Sequence, residues 1–168
     1  AIAAAAVMAA TLATAAATAH AGRGTTIKGS DTMVILVQRW AEDYMNSHPG
    51  AIVQVTGGGS GTGIAALING TTDICMASRA MKEDEKKKLK DRFQTMGNEI
   101  AMAKDGLSVY VHESNPLKQL TLAQVRDIYL GITTNWKQAG GADGPIVLYG
   151  RENSSGTYVY FKEEVLGG

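Results

Sequence analysis

Short β-rich runs separated by helical patterns constrain the fold of this chain more than any other feature. "TTIK" (25–28), "AIVQV" (51–55), "DICMA" (73–77), "GLSVYVH" (106–112) and "PIVLY" (145–149) read as strands. Helical stretches lie between and after them, so the order is β-α-β-α-β-α-β-α-β-α, the pattern of βαβ units around a largely parallel sheet. The expected fold class is α/β. The first helix runs from about Thr32 to Asn46, with Met33, Leu36, Val37, Trp40, Ala41 and Tyr44 spaced at three and four as a core stripe. A short helix covers Ile64 to Ile68 and ends at Asn69-Gly70. "TLAQVRDIYLG" opens on a Thr121/Gln124 capping box and stops at Gly131, and Tyr158, Phe161 and Val165 mark a last helix. "MKEDEKKKLKDRF" reads as a solvated surface helix rather than a nucleic-acid patch, because acids intersperse its lysines.

With 168 residues, 45% of them apolar, the chain suits one ordinary core or a large part of a two-lobed protein. Sixteen basic residues balance sixteen acidic ones, so no global field favours nucleic acid or an anionic membrane, and any anion affinity must be local. Cys75 is the only cysteine, which excludes an intramolecular disulfide. His20, His48 and His112 share no metal-ligand spacing with it or with each other, so no metal site is expected. Residues 1–21, "AIAAAAVMAATLATAAATAHA", carry no charge and end in the small-residue pattern Ala19-His20-Ala21, which reads as the remnant of a secretory signal peptide cleaved after Ala21. A transmembrane helix fits less well, since the run is scarcely long enough and Ala and Thr insert weakly. The mature protein is expected to be soluble and periplasmic or secreted.

The chemistry gathers in loops. "KGSDT" follows the first strand, "TGGGSGTG" the second, "ASR" the third and "GRENSSGT" the last, each at the carboxyl end of a strand and opening a helix. In open α/β sheets ligands bind there, and a helix start offers free N–H groups with partial positive charge. Glycines allow close approach and Ser or Thr hydroxyls add donors, so the loops suit a small oxyanion. A flexible Gly/Ser linker is the plain alternative for "TGGGSGTG", but strand and helix signals flank it directly. A nucleotide P-loop would need a following Lys-Ser/Thr, and a dinucleotide loop the G-x-G-x-x-G spacing with an acid downstream; both are missing. Arg79 and Arg151 lie inside the loops, where a guanidinium fork can match two oxygens of a tetrahedral anion, although a surface salt bridge is the ordinary role of either one.

The stretches from "KGSDTMVILVQRW" to "DICMASR", then "AKDGLSVYVH", then "LTLAQVRDIYLG" to "GRENSSGTYVYF", resemble the phosphate-binding proteins of high-affinity phosphate ABC transporters, members of the type II periplasmic-binding-protein superfamily. The likeness covers nearly everything after Ala21. It implies a two-lobed fold that closes on one inorganic phosphate by hinge motion and delivers it to a membrane permease, as a monomer and with no cofactor or catalysis. By the resemblance, Ser30, Thr32 and Met33 match the first binding loop, Ser60 the second, and Arg151, Ser155, Gly156 and Thr157 the last. It also implies a first lobe whose N-terminal part is 22–81, and a hinge crossing with an incomplete second lobe over 82–168. Such chains continue well past "FKEEVLGG", so this one is expected to be a C-terminally truncated fragment. Some members place an Asp after "A-S" to accept the phosphate proton, where this chain has Ser78-Arg79. That role then falls to another acid, with Asp31 first and Asp105 or Glu152 next; the other use of Asp31 is to cap the helix beginning at Thr32.

A secreted phosphatase or phosphotransferase with a loop serine as nucleophile is the main rival class. Ser30, Ser60 and Ser155, however, have no His or Lys at motif spacing to act as base. An adhesin reusing the fold, and a receptor for sulfate or another tetrahedral oxyanion, are the remaining alternatives.

Overall fold

A computed structural model describes residues 24–167. The expected signal segment, with His20, lies outside them. Strands β1 (Thr25–Gly29), β2 (Val53–Thr56) and β3 (Ile74–Met76) form one parallel sheet in the order β2-β1-β3. Thr25 aligns with Val53 on one side of β1, and Ile27 with Ile74 on the other. The chain steps from β1 out to β2 and then returns across β1 to β3. The crevice at the carboxyl ends of β1 and β3 is therefore a topological switch point, where such sheets place ligands.

Helix α1 (Asp31–Ser47) joins β1 to β2, and α2 (Ser60–Asn69) joins β2 to β3. α2 starts four residues before the apolar pattern that announced it, because Gly59 takes φ +88, a region that suits glycine, and the chain turns into helix at once. Its contact with the sheet is backbone on backbone: a Cβ on Gly63 would stand 2.5 Å from Gly29 Cα and 2.5 Å from the Lys28 carbonyl. α2 ends as expected, with Gly70 left-handed and its N–H on the Ala66 and Leu67 carbonyls.

The α1 stripe is buried only in part. Val37 and Ala41 are core, but Leu36 and Trp40 are each 40% exposed and Tyr44 stacks on His48 at the surface. α1 packs along the edge strand β2, so the face it meets is narrower than the stripe. Helix α3 (Glu83–Phe93), the charged run, packs through Leu89 on the α2 side of the sheet.

Residues 94–120 carry no helix or strand. The expected strands at 106–112 and 145–149 do not form; Leu107, Val109, Tyr110 and Val111 are exposed, as are Val147, Leu148 and Tyr149. A strand is stable only when a neighbour completes its ladder, and among the described residues this half offers just the isolated bridge Asn135–Pro145. The observed order is thus three βα steps followed by helices. Of those, α4 (Leu122–Tyr129) has the expected capping box, with the Gln124 N–H donating to Thr121 Oγ1 (3.2 Å) and the Thr121 N–H to Gln124 Oε1 (2.9 Å). A 3-10 turn (Trp136–Ala139) follows, and α5 (Gly156–Phe161) runs into a π-helical turn (Lys162–Leu166). Phe161 meets Tyr129 edge to face, with ring centroids 4.7 Å apart.

Candidate functional site

Three buried serines stand at helix starts beside the switch point: Ser30 (2% exposed) before α1, Ser60 (0%) opening α2, and Ser155 (3%) before α5. Buried hydroxyls are costly without partners. Ser60 finds them in the third loop: the Ser78 N–H donates to Ser60 Oγ (3.1 Å), and the two hydroxyls lie 3.1 Å apart. Ser155 Oγ accepts the Tyr158 N–H (3.3 Å) and caps α5. Ser30 forms no side-chain cap, and its hydroxyl has no partner among the described residues.

Gly156 sits between these groups. A Cβ there would collide with both the Ser60 and Ser78 hydroxyls and come 3.0 Å from Ser60 Cβ. The fourth loop is fastened to the second by the Gly61 N–H on the Ser154 carbonyl (3.0 Å), and to the first by Thr32 Oγ1 and Thr157 Oγ1, 3.2 Å apart. Met33 follows in the first turn of α1, its N–H on the Ser30 carbonyl (3.1 Å).

Asp31 is the first residue of α1 rather than its cap; Ser30 takes the cap position. The cap role expected of Asp31 is therefore not the one it fills. Its Oδ1 accepts the Gly58 N–H (2.7 Å) and its Oδ2 accepts from Arg151 Nη2 (3.2 Å). Gly57 has no room for a Cβ against that carboxylate. Arg151 Nη2 also donates to Glu152 Oε1 (3.1 Å), and Glu152 first, with Asp31 adding, holds the guanidinium above its ordinary pKa. Among the described residues Nη1 and Nε of Arg151 have no partner, but both bidentate edges share the engaged Nη2, so only these separate single donors are free. At 43% exposure this arginine is half solvated.

Arg79 does not join the cluster. Its fork is filled by Glu85, with Nη1 on Oε2 (2.8 Å) and Nη2 on Oε1 (2.7 Å), and Nη1 also donates to the Ala80 carbonyl (2.9 Å). Glu85 in turn accepts the Lys82 N–H (2.8 Å) at the start of α3, so the arginine braces a helix end. A carboxylate inside the fold outcompetes a guest anion for a bidentate donor that is always close to it. Sequence reasoning passed over Glu85, the Gly58 N–H and the Ser154 carbonyl. Glu85 had a signal, as the third helical residue of a capping box; the two backbone groups had none.

The first, second and fourth loops and Ser78 of the third thus bring together hydroxyls, helix starts and the Nη1 and Nε donors of Arg151. Among the described residues no group of three His, Cys, Asp or Glu could hold a metal, and no helix is long and apolar enough to cross a membrane. This is an α/β protein whose hydroxyl-bearing loops gather at the carboxyl ends of its parallel strands. The chain belongs to the PBP superfamily domain family, whose model matches residues 14–168.

The phosphate-binding protein PstS of Pseudomonas aeruginosa is 36% identical over 155 residues, covering 82% of this chain and 46% of its own. Among solved structures, a phosphate ABC transporter substrate-binding protein with bound phosphate from Clostridium perfringens superposes with a TM-score of 0.76 at 38% identity, covering 85% of this chain and 56% of that one. An ABC-type phosphate transport receptor from Vibrio cholerae gives 0.63 at 36% identity, with 83% and 54% covered. The chain spans about half the length of these relatives.

Proposed function

We propose that the protein captures inorganic phosphate outside the cytoplasm and passes it, as a monomer, to the membrane permease of a phosphate ABC transporter. The observation that carries this reading is the convergence of Ser60, Ser78 and Gly156, with the Ser30 hydroxyl and Nη1 and Nε of Arg151 unpartnered among the described residues. Helix starts and neutral hydroxyls hold a desolvated anion without a fixed cation at every oxygen. The names of the relatives point to the same ligand. Capture calls for no cofactor and no catalytic base; Ser60 Oγ faces the Ser78 hydroxyl and Ser155 Oγ accepts a backbone N–H. Residues 22–81 would supply the first lobe's share of the site, and 82–168 the crossing and the second lobe's share.

Calorimetric titration of the full-length protein that carries this sequence tests the reading. Phosphate should bind tightly and sulfate weakly, and a chromogenic phosphate ester should survive incubation. Arg151→Ala should lower phosphate affinity tenfold or more, while Lys87→Ala, an exposed charge on α3, should leave it unchanged. Equal affinities for the two variants, or turnover of the ester, would sink it.

A further inference from the structure

Ser78 carries the third loop's share of the hydroxyl cluster, and it belongs to no helix or strand. Between the end of β3 at Met76 and the start of α3 at Glu83, residues 77–82 have no regular structure. A single side chain ties this stretch down. Both Glu85 oxygens accept from the Arg79 fork, with Nη2 on Oε1 (2.7 Å) and Nη1 on Oε2 (2.8 Å), and Oε2 also accepts the Lys82 N–H (2.8 Å). Glu85 therefore pins the chain at Arg79 and again at Lys82, immediately beyond Ser78. Arg79 tightens the turn through Nη1 on the Ala80 carbonyl (2.9 Å).

The pair is nearly out of water, with the Arg79 side chain 11% exposed and that of Glu85 16%, and Arg79 Nε is buried with no partner among the described residues. A guanidinium so placed depends on its carboxylate: without that charge it is an unpaired cation in a low-dielectric surrounding, and it must swing toward water. The neighbouring Ser78 moves with it. Ser78 has little latitude, since its N–H donates to Ser60 Oγ (3.1 Å), its hydroxyl lies 3.1 Å from the Ser60 hydroxyl, and Gly156 backs onto both. Resting on the capture reading above, we propose that Glu85 is a positioning residue for the anion: it touches no guest, and through Arg79 and the Lys82 N–H it sets the Ser78 hydroxyl beside Ser60. The carboxylate that keeps Arg79 from the guest is thus what makes the third loop usable by it.

The test uses the full-length protein that carries this sequence, titrated with phosphate by calorimetry at pH 7, with thermal melting followed in parallel. Glu85→Gln keeps the shape and loses the charge, and should lower phosphate affinity about tenfold, as for one displaced hydrogen bond to a charged guest. Lys88→Ala, which removes an exposed ion pair with Asp84 on the same helix, should leave affinity unchanged. A double-mutant cycle with Ser78→Ala separates positioning from mere support of the fold. In that background Glu85→Gln should cost less than about twofold further in affinity, while lowering the melting temperature as much as before. Should Glu85→Gln lose its native melting transition, Arg79→Lys, which keeps the charge and loses the fork, replaces it under the same criterion. Losses that multiply in the double mutant, unchanged affinity in Glu85→Gln, or loss of folding in both variants would each overturn the proposal. A parent that binds no phosphate overturns the capture reading and this proposal together, whereas the other failures strike the proposal alone.

Discussion

Gly156→Ala should abolish most anion affinity while barely disturbing the fold. The added Cβ falls on the point that the Ser60 and Ser78 hydroxyls share, 3.0 Å from Ser60 Cβ. Two responses are open. The serines rotate their hydroxyls away, which withdraws both donors from the site, or the α5 terminus shifts, which moves Ser155 and Thr157 with it. Overpacking of this kind costs about 1–3 kcal/mol, and alanine in place of glycine in a helix returns up to about 1 kcal/mol, so the net loss of stability is about 3 kcal/mol at most. Binding suffers more. Each hydrogen bond from a hydroxyl to a charged guest contributes about 1.5–3 kcal/mol, so losing one lowers affinity roughly 10- to 150-fold. Isothermal titration with phosphate measures this, with Gly106→Ala as the control, since nothing lies within 4 Å of a Cβ there. If Gly156→Ala bound phosphate within twofold of the parent, the cluster of Ser60, Ser78 and Gly156 would not be the site.

Two further outcomes concern the bracing of α3 and the thiol beneath it. The Arg79 fork, aided by the Lys82 N–H, holds the Glu85 carboxyl below its usual pKa of 4.5, so its contribution is complete above that value and is lost as pH falls through the folded-state value. Glu85→Gln should therefore cost about 2 kcal/mol in urea melts at pH 7 and progressively less below about pH 4.5; a gap that does not narrow in acid would refute the pairing. Burial pushes the Cys75 thiol up to about 11, with Arg79 lowering it and Glu85 raising it less strongly. At pH 8 a disulfide reagent should label it only after denaturation, and rapid stoichiometric labelling of the native protein would contradict that burial.

Local signals carried the first three strands, the caps at Gly70 and Thr121, and the hydroxyl-bearing loops, because each depends on neighbours a few residues away. The loops that hold Ser30, Ser60, Ser78, Ser155, Gly156 and Thr157 were legible because they abut strand or helix signals, whereas Ser30, Ser60, Ser155, Gly156 and Thr157 were singled out within them by the resemblance. The segments at 106–112 and 145–149 have the right alternation for strands, but pairing is a non-local matter and periodicity cannot supply a partner. Arg79 shows the same limit in electrostatics. Its position in a loop says that a guanidinium is near the site, and only the fold says that Glu85 reaches it first. For Asp31 the sequence left two roles, and one residue of helix boundary removed the cap role: Ser30, with φ −56 and ψ 123, is the last non-helical residue, which puts the carboxylate inside the helix and beside Gly58.

The contact between Thr32 and Thr157 spans 125 positions of chain. At a synthesis rate of about 5–20 residues per second, roughly 6–25 s separate the emergence of those two threonines from the ribosome. Throughout that interval the sheet and its first three helices can form from contacts already made, while Gly61, Asp31 and Ser60 wait for Ser154, Arg151 and Gly156. The contacts that fasten the fourth loop to the first two therefore close only after the sheet and its first three helices can already have formed.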